Sequence, residues 1–167
     1  MKNLSFNRYL VFFAILILFS CEKPNEPLIS EDPILLNDLY SMSNDTLNIG
    51  NKKYFIETYL YRDFFPGIPI REKSPLIAAI SLIDFDSIEI STEIDISKLY
   101  VINGNTIWIS EPDERQPHFN YKLEKVSSNG PEWETGIYVD VVVEITDNLN
   151  HKKSLIIKEH QFIERTE

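Results

Sequence analysis

The stretch "KLYVINGNTIWIS", residues 98 to 110, constrains the fold more than any other. Two runs rich in β-branched residues flank Asn103-Gly104, a dipeptide that readily takes the positive φ values of a tight hairpin turn. The same pattern recurs along the chain. "DTLNIGNKKYFIETYLYRD" reads as a short strand, Thr46 to Ile49, a turn at Gly50-Asn51, and a strong strand from Lys53 to Tyr61. In the latter, Tyr54, Ile56, Thr58 and Leu60 fall on one face and Phe55, Glu57, Tyr59 and Tyr61 on the other, and aromatics on both faces predict a central position. "LIAAISLIDF" reads as a buried strand. Ile88, Ile90, Ile94 and Ile96 share a phase that differs from that of Ile83 and Phe85, which predicts a bend near Asp86-Ser87. Tyr121 to Val126 forms another strand, and the chain closes with two long strands joined across Asp147 to Asn150. Segments 62–75, 111–120 and 127–136 read as loops. Residues 28–43 are compatible with a short helix but read as a lead-in. The expectation is an all-β, antiparallel sandwich of about seven to nine strands, with a small barrel as the alternative.

A second feature lies at the N-terminus. Tyr9 to Phe19 is an unbroken run of eleven apolar residues, whereas a membrane-crossing helix needs about 20. Lys2 and Arg8 precede it with no acid before Glu22, and the small Ser20 closes it. That order is the order of a secretory signal peptide, removed on export. Cleavage after Ser20 would make Cys21, the chain's single cysteine, the new first residue.

Leu18-Phe19-Ser20-Cys21 resembles the lipobox of bacterial lipoproteins, with Leu18, Ser20 and Cys21 matching the pattern and Phe19 standing where a smaller residue is usual. The resemblance implies lipidation of Cys21 and anchoring to the Gram-negative outer membrane, on its periplasmic or its cell-surface side. Residues 1–20 would be the signal peptide, 21–44 the lipidated cysteine, linker and lead-in, and 45–167 the β-domain. Beyond the tether, the strand count resembles an immunoglobulin-like sandwich of the sort common in exported bacterial proteins. The disulfide of antibody domains has no counterpart here.

Charge narrows the partners. Removing a leader with two bases and no acid leaves 14 of the 16 bases against 26 acids, a formal charge of −12. So acidic a surface repels nucleic-acid phosphates, and nucleic acid is excluded as a partner.

Motifs for chemistry are sparse. His118, His151 and His160 lack a second ligand at a metal-binding spacing. Asp84, Asp86, Glu89, Glu93 and Asp95 make an acidic stretch without the spaced acids and glycine of a helix-loop-helix calcium loop. Nothing singles out a carboxylate pair for glycoside hydrolysis, and Gly-x-Ser-x-Gly is absent. The expectation is a non-enzymatic protein with no catalytic residues, no metal and no cofactor. Its most suggestive segment is "RDFFPGIPIREKSP", a long loop carrying apolar residues. Such residues either cap the core or meet a partner, and Arg62, Phe64, Phe65 and Trp133 are the candidate contacts. The leading reading is a lipid-anchored binding or structural accessory domain. A carbohydrate-binding module is the alternative, with Tyr59, Tyr61, Phe65 or Trp133 stacking on sugar rings.

Overall fold

The computed structural model describes residues 26–65 and 74–167. The expected signal peptide, Cys21 and residues 66–73 lie outside the described residues. The elements are β1 (Leu28–Ser30), α1 (Pro33–Met42), β2 (Ser43–Asn44), β3 (Leu47–Ile49), β4 (Lys52–Asp63), β5 (Leu76–Asp84), β6 (Ile94–Asn103), β7 (Thr106–Ser110), β8 (Asp113–Arg115), β9 (Lys122–Ser127), β10 (Tyr138–Asp147) and β11 (Lys152–Thr166).

The described residues are mostly β with one short helix, and their strands form one large mixed sheet curled into a half-barrel. The order is β1-β7-β6-β10-β11-β4-β5-β9-β8, with β2 paired to β11 and β3 to β4. The expected hairpin at Gly104 forms, closing on Asn103 opposite Thr106, with Gly104 at φ 61°. Gly50, at φ 60°, turns β3 into β4 as its sequence predicts.

Two expectations are corrected. The sheet is mixed and continuous rather than antiparallel and split in two, because β11 changes partners along its length. Up to Phe162 it pairs antiparallel with β10, and from Ile163 to Thr166 it pairs parallel with Leu60 to Asp63 of β4. The changeover sits at a bulge. The register slips between Val139 and Val141, His160 takes φ 55°, and its backbone N–H donates to the Asp140 carboxylate at 2.8 Å. A bulge of this kind bends a strand and adds twist, which is what carries β11 from one half of the curl to the other. The second correction concerns number. Eleven strands form among the described residues, because β1, β2 and β8, at two or three residues each, are too short to show alternation. Residues 28–44, read as a lead-in, thus supply two strands and the helix.

Ile88 and Ile90 do not form a strand either. The Asp84 carboxylate accepts from the N–H groups of Asp86 and Ile88, both at 3.0 Å, and Ser87 takes φ 57°. That side chain holds the segment as a turn, so the predicted bend is sharper than alternation alone would require.

One core fills the concave side. Tyr54, Ile56, Leu82, Ile96, Trp108, Val141, Ile156 and Ile163, drawn from both halves, are all at most 2% exposed. The halves are also tied by a buried lysine on β9, Lys125, whose ammonium lies 2.7 Å from Asp95 on β6. Outside the β10 half lies a second cluster. There α1 sets Leu35, Leu36 and Leu39 against Tyr100, Ile102, Ile107 and Val142. The helix begins where Asp32 accepts from the Ile34 N–H at 2.8 Å, with Pro33 in the first turn. Tyr40 donates its hydroxyl to Asp140 at 2.6 Å, fastening the helix to the bulge. No helix among the described residues is long and apolar enough to cross a membrane.

Candidate functional site

Strand alternation sends Tyr54, Ile56 and Leu60 of β4 into the core, so Phe55, Glu57, Tyr59 and Tyr61 point outward. Register then determines their neighbours. Tyr59 sits opposite Ala79 on β5, and Ala79 opposite Val126 on β9. On the other side Ile163 pairs with Leu60, so the residue before it, Phe162, falls beside Tyr59. Phe162 in turn faces Tyr138 across the β10 pairing. The result is one row, Tyr138, Phe162, Tyr59, Ala79 and Val126, running across five strands of the convex surface.

The rings in this row remain exposed: Tyr138 at 63%, Phe162 at 45% and Tyr59 at 44%. Tyr138 and Phe162 lie 5.2 Å apart at an interplanar angle of 57°, and Tyr59 stacks on Tyr61 at 5.1 Å and 29°. The Tyr59 hydroxyl donates to Glu164 at 2.9 Å. That hydrogen bond, helped by partial desolvation and the carboxylate's charge, holds the phenol above its usual pKa and keeps it protonated. One flanking row is polar, with Lys122 at 3.4 Å from Glu57, Ser81 between Glu57 and Glu124, and His118 at 3.8 Å from Glu124, and the other runs through Glu164, Tyr61 and Ile77.

The residues singled out from sequence are distributed differently. Arg62 points inward and spends its donors on carbonyls: those of Ser74 at 2.7 Å, Trp133 at 2.8 Å and Glu132 at 3.3 Å. It is a strap holding segment 132–133 against the end of β4. Trp133 is half-buried and packs on the core cluster. Phe64 lies under two guanidinium groups, with Arg165 at 4.1 Å and Arg62 at 5.1 Å from its ring centre. Phe65 is the one exposed residue of these four, at 61%. Cys21 lies outside the described residues. Of the stacking candidates, Tyr59 and Tyr61 belong to the convex face.

Sequence reasoning missed Tyr138 and Phe162. The signal for Tyr138 is its phase opposite Val139, Val141 and Val143. Phe162 has no local signal, since the bulge at His160 resets the alternation of β11.

Two further polar features are structural. Asp84 is buried, with Lys52 ammonium 3.9 Å from its free oxygen, so a side-chain cation already stands beside it. Among the described residues no group of three or more His, Cys, Asp or Glu is placed to hold a metal ion. A polar cleft of about 460 Å³ lies between the β3–β4 and β10–β11 turns, lined by Asn48, Gly50, Asp147, Asn150, Lys152 and Ser154 among others. Its acid is occupied: Asp147 accepts from the backbone of Leu149 and Asn150 and from the Asn150 amide at 2.7 Å. The hydrogen bond from that amide, more than any other contact, keeps its carboxyl below the usual range.

No protein-family model, no curated protein and no solved structure matches this chain.

Proposed function

We propose that the chain is a non-enzymatic, lipid-anchored protein of the Gram-negative envelope that receives its partner on the convex face where β4 adjoins the end of β11 and the start of β10. One observation carries this reading. Three large aromatics, Tyr138, Phe162 and Tyr59, stand exposed in a single row, while the sole helix of the described residues buries the corresponding apolar residues of the other half. Contiguous exposed aromatics of this kind mark interaction surfaces, and tyrosine serves there because its ring is apolar and its hydroxyl is hydrated.

The anchor rests on Leu18-Phe19-Ser20-Cys21. Two or more acyl chains hold a protein stably at a bilayer, and residues 22–27, polar and broken by Pro24 and Pro27, would tether the domain ahead of β1. The likeness to immunoglobulin-type sandwiches enters as one of layering, two halves over one core, and not of topology.

Two measurements test the reading. Fractionation of cells should find wild-type protein in the membrane and Cys21→Ala protein released or unprocessed; equal membrane retention of a processed Cys21→Ala form would defeat the anchor. A photo-crosslinking amino acid at position 59 should form adducts in intact cells, and one at the still more exposed helix position 34 should not. Equal labelling at both would defeat the assignment of the face.

A further inference from the structure

Resting on the reading of this face as the binding surface, we propose that its occupant is a neutral polysaccharide chain, laid across β10, β11 and β4 with its sugar rings stacked on Tyr138, Phe162 and Tyr59.

The shape of the site comes first. Neighbouring strands lie about 4.8 Å apart, so three rings on three adjacent strands cover about 10 Å. Ala79 and Val126 continue the row without protruding. This is a strip rather than a pocket, its rings tilted by 57° between Tyr138 and Phe162, and it suits an extended ligand that offers a separate flat apolar face to each ring. A pyranose ring has such faces, built from its axial C–H groups, and a rim of hydroxyls around them.

The surroundings match that rim. A hydroxyl both donates and accepts, and the rows beside the strip offer both functions: carboxylates at Glu57, Glu124 and Glu164, the Lys122 ammonium, and the Tyr59 and Ser81 hydroxyls. Their charges are offset only in part. Glu57 lies 3.4 Å from Lys122 and Glu124 is the register partner of Arg115, whereas Glu164 accepts from the neutral Tyr59 hydroxyl and keeps its charge. A slightly acidic rim repels an anionic ligand and offers hydrogen bonds to an uncharged one. The chain as a whole carries −10, which disfavours polyanions such as nucleic acid or acidic glycans. A second copy of the chain fits less well, since it would bring an equally acidic molecule against the face.

The test is depletion of the detergent-solubilised full-length protein from solution by insoluble neutral polysaccharides: cellulose, β-1,3-glucan, mannan and starch. At least one polymer should deplete the wild type, and added salt should leave the binding unchanged. Tyr59→Ala and Phe162→Ala should each weaken it about tenfold, the order expected for loss of one aromatic stacking contact. Tyr59→Phe, which keeps the ring, should stay within a few-fold of wild type, as should Ile34→Ala on the helix. The proposal is overturned if no neutral polymer depletes the protein, if Tyr59→Ala and Phe162→Ala bind like wild type, or if salt abolishes binding. Crosslinking at position 59 separates the two levels of the argument. Adducts there with no polysaccharide binding sink the ligand class and leave the face standing, a self-adduct makes the occupant a second copy, and no adduct with no binding sinks the face as well.

Discussion

On the β10 half of the curl, Tyr100, Ile102, Ile107 and Val142 face outward and lie buried under α1. On the β4 half and the adjoining ends of β10 and β11, Tyr59, Phe162 and Tyr138 face outward and stay exposed. Both surfaces follow the same rule, alternation along strands whose opposite face is in the core. They differ in what covers them and in what they are made of. A ten-residue helix is about 15 Å long and can shield one half only. Beneath it the outward residues are mostly aliphatic, which water would penalise. The bare half uses aromatics, two of them tyrosines whose hydroxyls can remain hydrated. The difference teaches that outward apolar residues in this fold are of two kinds, those that need a lid and those that tolerate its absence.

The comparison can be broken most severely through the core that both halves share. Ile156, fully buried on β11, should lose about 2–5 kcal/mol of stability on replacement by alanine, the usual range for such truncations. Denaturant unfolding read by far-ultraviolet circular dichroism would show it, and a loss confined to one half would mean that the halves fold separately. Next comes the lid. Leu39→Ala removes the one fully buried side chain of α1 and should cost about 2 kcal/mol, at the low end of that range. Amide exchange should accelerate in α1 and over Tyr100 to Ile102, and leave β4 and β5 unchanged.

A smaller effect appears only in acid. Burial pushes the Glu144 carboxyl up, but hydrogen bonds from Lys153 and Ser97 and the charges of Lys153 and Lys98 outweigh it and leave the group below its ordinary value of 4.5. A carboxyl held low in the folded protein stabilises it above the unfolded pKa, and that contribution fades as pH falls through the folded one. Glu144→Gln should therefore be less stable than wild type at neutral pH, by less than about 1 kcal/mol for a partly exposed pair. The gap should close as pH drops below 4.5; a gap that persists there would remove the carboxylate from the account. Smallest of all is the change on the bare face. Phe162→Ser gives up one cross-strand aromatic contact with Tyr138 and should shift stability by well under about 1 kcal/mol. A large loss would show that Phe162 is a packing residue and that the two faces are less different than they look.

How much of this was legible depends on the range of each interaction. The turns at Gly50 and Gly104, the inward and outward phases of β4, and the long closing pair β10–β11 all rest on contacts within a few residues, and each is readable from the chain. The mixed sheet was not readable. Its cause is β11 leaving β10 for β4, and parallel pairing of Ile163 with Leu60 joins positions about a hundred apart in sequence. Arg62 shows the same limit at the site. Its charge and aromatic neighbours suggested an exposed contact, yet its position on the inward phase of β4 delivers it to three carbonyls.

By itself, then, the sequence determined the all-β class, the positions of its main hairpins, the outward phase of Tyr59 and Tyr61, and an acidic surface, because alternation, turn chemistry and charge are local or additive quantities. Only the tertiary structure decided that Phe162 and Tyr138 complete a row with Tyr59, that α1 shields one half and leaves the other bare, and that Trp133 belongs to the core. Those outcomes depend on which strands become neighbours, a choice made by burial summed over the whole chain.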